Sequence, residues 1–283
     1  MNRTLQFDYT AVGHVTMDVL ANGSRRAGGT AFYSALQAAR MGQRALILTQ
    51  GVPREIEELM EPHRQELALE VIPAPATTTL QTSGSGSARR QRVLAWAGAI
   101  ERSLELDTAI LHLAPVARET PTSWRGRSAF VGLTPQGLAR VWAQLDGEIS
   151  LAPPPAAAVR VAERCEAIVL SEHERTSCRR LISRAHEAGA VVAITAGERP
   201  STILLPGGDN IALEVPAVPT PGDDLGAGDV FAAAFFIALH EGDSPERAAR
   251  FAAAAGSVRL QGHGAAAIGG REAIEAQLRT AAP

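Results

Sequence analysis

Short, nearly continuous apolar runs alternate along this chain with longer stretches in which apolar residues recur every three or four positions. The runs "YTAVG" (9–13), "ALILTQ" (45–50), "AILHLA" (109–114), "SAFVGL" (128–133), "AIVLS" (167–171) and "VVAIT" (191–195) read as buried strands. Between them, residues 30–41, 54–66, 172–188, 227–241 and 245–260 read as helices. This alternation predicts βαβ units, a largely parallel sheet and an α/β fold. No segment repeats, and one domain over residues 1–283 is expected. Residues 73–92, "PAPATTTLQTSGSGSARRQR", break the pattern and read as edge strands or a flap. Their GSGS does not open a helix after a buried strand, so it is no dinucleotide loop. The proline run at 152–158 reads as a loop leading into the helix before Cys165.

Composition narrows the function classes. Apolar residues make up 46% and charged residues 20%, as in an ordinary globular protein. No apolar run reaches membrane-spanning length and the N-terminus carries no signal-peptide pattern, so a cytoplasmic location without membrane partners is expected. A net charge of −3 with both signs interspersed gives no nucleic-acid-binding surface. All 27 basic residues are arginine. A chain without lysine can have no Walker-type phosphate loop, no Schiff base on the protein and no kinase-type lysine ion pair. Cys165 and Cys178 lack metal-ligand spacing and read as reduced thiols.

The densest chemistry lies at residues 219–239, "PTPGDDLGAGDVFAAAFFIAL", where five Pro/Gly residues and three aspartates precede an apolar helix. A helix N-terminus presents unpaired N–H groups and about half a positive charge. Gly226 and Gly228 let the main chain curl so that several amides point at one anion. Asp229, in the first turn, is placed to accept a proton from an attacking hydroxyl. Together these features read as a phosphoryl-transfer site. The same residues also fit a plain helix start that Asp229 merely caps.

"DDLGAGDVF" resembles the D-T-x-G-A-G-D-x-F signature of the ribokinase-like (PfkB) carbohydrate kinases. "GGTAFYSALQAARMG" (28–42) is similar to that family's N-terminal GG…A…LA-R-L-G segment, and "VGHVTMDVL" (12–20) to its opening strand. "AIVLSEHE", "ITAGERPSTILL" and "AAAAGSVRLQGHGA" follow in the family's order over nearly the whole chain. The resemblance implies a three-layer α/β/α fold with a mostly parallel central sheet and a small β lid, formed by about 14–27 and 77–95. It implies Asp229 as catalytic base and Gly226, Ala227 and Gly228 as the anion hole. Asp18, Gly28, Gly29 and Tyr33 would bind the acceptor. Thr195 and Gly197 would lie along ATP, Ser257 and Gly262 near the adenine, and Glu174 would hold the water shell of Mg²⁺. The acceptor would be a small sugar, polyol or nucleoside, and an exposed lid could pair two copies into a homodimer.

Departures from the pattern bear on that reading. Ser171 stands for the asparagine of N-x-x-E, Tyr33 for that of GGxxAN, and Asp224 adds a charge beside the anion site, pointing to solvent or Mg²⁺. Pro200 displaces a turn glycine of the nucleotide strand. "LHLAPVARE…FVGLTPQGLAR" resembles a branch with PQG-x-x-R whose members include sugar and inositol kinases; Gln136 and Arg140 are weak site candidates there, better read as a surface helix start. The arginines of "ARRQR" (88–92) read as solvated. His112, His173 and His263 show no paired metal-ligand spacing. A catalytically silent nucleotide- or metabolite-binding module of the same fold is the competing class. A Rossmann oxidoreductase lacks its GxGxxG after the first strand.

Overall fold

The computed structural model describes residues 6–84, 89–101, 104–216, 218 and 222–280. The first half runs β1 (Phe7–Val12), β2 (Thr16–Val19), β3 (Arg25–Gly28), α1 (Thr30–Arg40), β4 (Ala45–Gly51), α2 (Pro53–Met60), β5 (Ala68–Pro73), β6 (Thr79–Ser83), β7 (Arg90–Ala95), β8 (Leu104–Leu113) and β9 (Trp124–Leu133). Then come α3 (Gln136–Ala139), β10 (Arg140–Val141), β11 (Gly147–Glu148), β12 (Ser150–Leu151), α4 (Ala156–Ala162), β13 (Ala167–Ser171), α5 (Glu172–Arg175) and α6 (Arg179–Glu187). The chain closes with β14 (Val191–Ala196), β15 (Arg199–Leu204), β16 (Asn210–Leu213), α7 (Ala227–His240), α8 (Pro245–Leu260) and α9 (Arg271–Thr280).

Nine strands form the main sheet in the order β16-β15-β14-β13-β9-β8-β1-β4-β5. Every pairing from β5 to β14 is parallel, and β15 and β16 turn antiparallel at one edge. Alternation along β1 serves two cores: Tyr9 and Ala11 pack with α1, α7 and α8, while Val12 packs on the side of α4 and α6. This is the expected three-layer α/β/α arrangement. Helix α7 is buried from Val230 to Ala238 on every side, and the alanines of α8 let the two helices approach closely. Burying Phe235 and Phe236 completely contributes about 2–3 kcal/mol each. His112 is a core residue: Nδ1 meets the Tyr9 hydroxyl at 2.7 Å and Nε2 meets Thr134 Oγ1 at 3.0 Å. Burial pushes its pKa down to about 3, so it is neutral.

Two predicted helices are shorter than the pattern implied. The 54–66 segment ends as α2 at Met60 and continues only as a tight turn, Glu61–His63, because Pro62 has no amide for the next helical bond. The 172–188 segment breaks into α5 and α6, and the turn between them places Cys178 fully inside the core.

A second sheet, in the order β11-β7-β6-β2-β3, stands beside the main one. It draws on both segments expected for the lid and adds Gly147–Glu148, too short a strand to show in the pattern. Residues 85–88, with most of the GSGS run, lie outside the described residues. Arg90 and Arg92 pair with Glu148 at 2.7 Å and Asp146 at 3.4 Å at the surface.

Candidate active site

Ser171 and Thr195 stand at the carboxyl ends of the parallel strands β13 and β14, where open α/β sheets bind ligands. Gly226 caps α7 with φ +82°, a left-handed conformation that costs other residues. A Cβ there would also fall 2.4 Å from the Tyr33 ring, so the loop lies flat on α1. Gly228 is exposed and faces open space, leaving the first-turn amides accessible. Asp229 is half-buried beside them, and Ser34 Oγ donates to its main-chain oxygen at 3.1 Å. Pro219, Thr220 and Pro221 of the signature stretch lie outside the described residues.

Asp18, Gly28, Gly29 and Tyr33, the residues expected on the acceptor side, lie on β2, β3 and α1. Asp18 is buried and accepts from Thr16 Oγ1 at 2.7 Å. Its Oδ2 would sit 2.1 Å from a Cβ on Gly28, so only glycine admits that carboxylate. Gly29, at φ +94°, lets the chain turn against the His14 carbonyl and start α1. Tyr33 is buried under the loop, and its hydroxyl has no partner among the described residues. Burial, against the nearby Arg26, pushes that phenol up to about 12.

Burial pushes Asp229 up to about 6; Thr30 and the cations Arg140 and Arg89 pull the other way, and Glu174 adds to the rise. Asp18 also stands at about 6, raised by burial and restrained by Thr16, Arg26, Arg140 and Arg89. Both carboxyl groups are raised toward neutrality, the direction that suits proton transfer.

Glu174 is buried and joined to Ser171 in a capping box. Ser171 N donates to Oε2 at 2.7 Å, and Ser171 Oγ donates to the same oxygen. Serine at this position thus starts α5. Gln136 Nε2 reaches the other oxygen at 3.3 Å. Thr195 pairs in register with Ser171, and Gly197 lies in the exposed turn after β14 with open space around it. Ser257 and Gly262 stand elsewhere than an open pocket. Ser257 is buried with Oγ donating to the Pro216 carbonyl at 3.3 Å, and the Gly262 carbonyl lies 2.0 Å from where a Gly222 Cβ would be.

Four arginines surround these residues; sequence reasoning passed over Arg26 and Arg259 and read Arg89 and Arg140 as surface groups. Fully buried Arg259 donates through Nη2 to Asp223 Oδ1 at 2.6 Å and to the Leu225 carbonyl at 2.6 Å. Arg26 reaches across from β3 to Asp223 Oδ2 at 3.2 Å. Arg89 pairs with Asp224, so Arg89 is not a solvated arginine. Arg140 is buried, not at the start of a surface helix. The DD pair was visible in the sequence, but partners 135 to 197 residues away were not. Among the described residues no three His, Cys, Asp or Glu side chains group to hold a metal ion.

A glycine-started buried helix, a buried carboxylate on a second sheet and a doubly covered, mostly parallel main sheet are the features of the ribokinase-like fold. Residues 130–269 match the model of the pfkB family carbohydrate kinases. Arabidopsis thaliana ribokinase is 36% identical over 85 residues, 30% of this chain and 22% of that protein. Similar solved structures include a sulfate complex of a pyrophosphate-dependent kinase in the ribokinase family. It is 20% identical with TM-score 0.73, over 95% of this chain and 99% of that one. The nucleoside kinase of Methanocaldococcus jannaschii is 17% identical with TM-score 0.72, over 96% of this chain and 98% of that one. The chain belongs to the PfkB, or ribokinase-like, carbohydrate kinase family. Among the described residues no helix is long and apolar enough to cross a membrane.

Proposed function

We propose that this protein transfers a phosphoryl group from ATP to a hydroxyl of a small sugar or cyclic polyol. The observation that carries the reading is the pairing at the start of α7: amides of Gly226, Ala227 and Gly228 beside a carboxyl, Asp229, held at about 6. In this reading Asp229 takes the acceptor hydroxyl's proton while the amides hold the charge developing on the transferred group. Asp18 orients the acceptor through its hydroxyls, Gly28 and Gly29 let it approach the main chain, and the orphan Tyr33 hydroxyl gains a partner on binding. Thr195 and Gly197 line the donor's path.

The residues fit Mg²⁺ in an outer role. Glu174 Oε1, bonded only at 3.3 Å by Gln136, keeps a lone pair for a water of the ion's shell. When bound, Mg²⁺ neutralises the donor phosphates. The second sheet closes over the acceptor as a lid that excludes water, and a homodimer joined through its edge is part of the same proposal.

A second reading concerns the donor alone. Ser257 and Gly262 are engaged in packing, which favours a donor without a base to seat there, such as the pyrophosphate of the neighbour above. The test is mass detection of phosphorylated product with ATP or pyrophosphate, Mg²⁺, and a panel of pentoses, hexoses, inositols and nucleosides. Turnover on one acceptor, lost in Asp229→Asn, is expected. Ligand binding without product throughout the panel would favour a silent binding module, and a fully active Asp229→Asn would remove Asp229 as base.

A further inference from the structure

The segment from Thr134 to Arg140, of which the reading above uses only Gln136, touches both sheets. Gly137 is wedged against Pro115, where a Cβ would meet backbone at 2.4 Å, so the segment is fixed. Its first side chain, Gln136, holds Glu174. Its last, Arg140, is 7% exposed. Arg140 Nη1 donates to the Val116 carbonyl at 2.9 Å and Nη2 to Gln91 Oε1 at 2.7 Å. Both acceptors are neutral, and both are anchored. Gln91 sits on β7 with its amide donating to Thr82 Oγ1 at 3.0 Å, and Val116 N donates to the buried Glu119 at 2.8 Å.

A buried guanidinium bonded to neutral groups needs nearby negative charge to offset its lost hydration. Here the charge comes from Glu174, Asp229, Asp18 and Glu119 collectively, all of which bear on Arg140. We propose that Arg140 is a positioning residue of the transfer site, docking the second sheet onto the main sheet and holding a fixed positive charge among Asp18, Asp229 and Glu174. This role rests on the phosphoryl-transfer reading and deepens it.

The charged and titratable groups acting on Asp229 are Arg140 from β10, Arg89 from the residue before β7, Glu174 from α5 and Tyr9 from β1. Removing the Arg140 cation therefore makes Asp229 harder to ionise. The test compares Arg140→Gln, Arg140→Lys, Gln91→Leu and the surface control Arg92→Gln. Readouts are the pH profile of kcat/KM and hydrogen exchange at the amides of residues 90–95. Arg140→Gln should move the acid limb of the profile upward by about one pH unit and speed exchange in β7. Arg140→Lys should restore the limb while the acceptor KM stays raised. Gln91→Leu should raise KM and β7 exchange with the limb unmoved, and Arg92→Gln should match wild type. An unmoved limb in Arg140→Gln, or a limb in Arg140→Lys displaced as far as in Arg140→Gln, overturns the charge role. Wild-type exchange at 90–95 in both Arg140→Gln and Gln91→Leu overturns the docking role. A wild-type protein that phosphorylates nothing refutes the transfer reading instead, and the exchange data still decide the docking.

Discussion

Replacing Asp223 with asparagine removes a charge from the loop before α7 without changing the side chain's shape. Asp223 accepts from Arg259 Nη2 at 2.6 Å, Gly264 N at 2.8 Å, Arg26 Nη1 at 3.2 Å and Leu225 N at 3.2 Å. Burial alone would raise its pKa; the Gly264 amide and the Arg259 and Arg26 guanidiniums overturn that and hold it at about 2, against an ordinary value of 3.8. That lowering favours the charged form in the fold by roughly 1–2 kcal/mol, because solvent screens the partly exposed carboxylate. Asparagine also leaves the fully buried Arg259 without its anion, a situation that costs several kcal/mol. The expected loss is about 2–4 kcal/mol, or on the order of 5–10 °C in Tm for a domain of this size. Because the folded pKa is lowered, the stabilisation is complete above the unfolded value and is lost as pH falls through about 2. Thermal melts of wild type and Asp223→Asn at pH 7 and at pH 3 measure both parts. A variant that melts with wild type at pH 7, or a gap that does not narrow at pH 3, would refute the reasoning.

The wild-type kcat/KM should rise with pH through about 6 and then level, since Asp229 must be ionised to act; a profile flat from pH 5 to 8 contradicts this. The same raised pKa means that stability falls as pH rises from 3.8 through about 6, so Asp229→Asn, inactive, should be more stable than wild type at pH 8 by about 1–2 kcal/mol, read by urea unfolding. Gly28→Ala places a methyl 2.1 Å from Asp18 Oδ2 and should cut kcat/KM roughly a hundredfold by displacing that carboxylate, while an unchanged acceptor KM would count against it. Burial raises both thiols, Cys178 to about 12, so a thiol reagent at pH 8 should label neither cysteine until the protein unfolds.

Local pattern carried much of the architecture. Each of the six predicted strands falls on an observed strand, four of them to within a residue or two, because continuous apolar runs are what a doubly covered parallel strand requires; β8 and β9 begin four or five residues earlier, where their outer halves alternate with exposed polar residues. Helix α8 was bounded correctly since Ser244 and Pro245 mark its start. The second sheet was legible only as a departure from pattern: β2 and β3 are four residues each, and half-exposed Arg25 and Arg26 carry no apolar alternation. At the site, Gly226 and Asp229 could be placed together because they are neighbours in sequence on one helix turn. Arg140 could not, since burial of an arginine depends on carboxylates contributed by β2, α5 and α7. The same holds for Asp224, whose partner Arg89 immediately precedes β7, 135 residues away in sequence.

The stacking of Gly226 on Tyr33, and of Ser34 against the Asp229 carbonyl, joins residues made far apart in time. During synthesis, α1 emerges with Phe32, Tyr33 and Leu36 on its surface, and the helices that cover them, α7 and α8, follow some two hundred residues later. At about 5–20 residues per second that is a wait of roughly 10–40 s with an uncovered apolar helix. The half of the cleft built first therefore stays uncovered by its native partners until α7 and α8 arrive. Stop codons or slow translation anywhere between residues 41 and 226 should yield aggregation-prone fragments rather than a soluble half-protein.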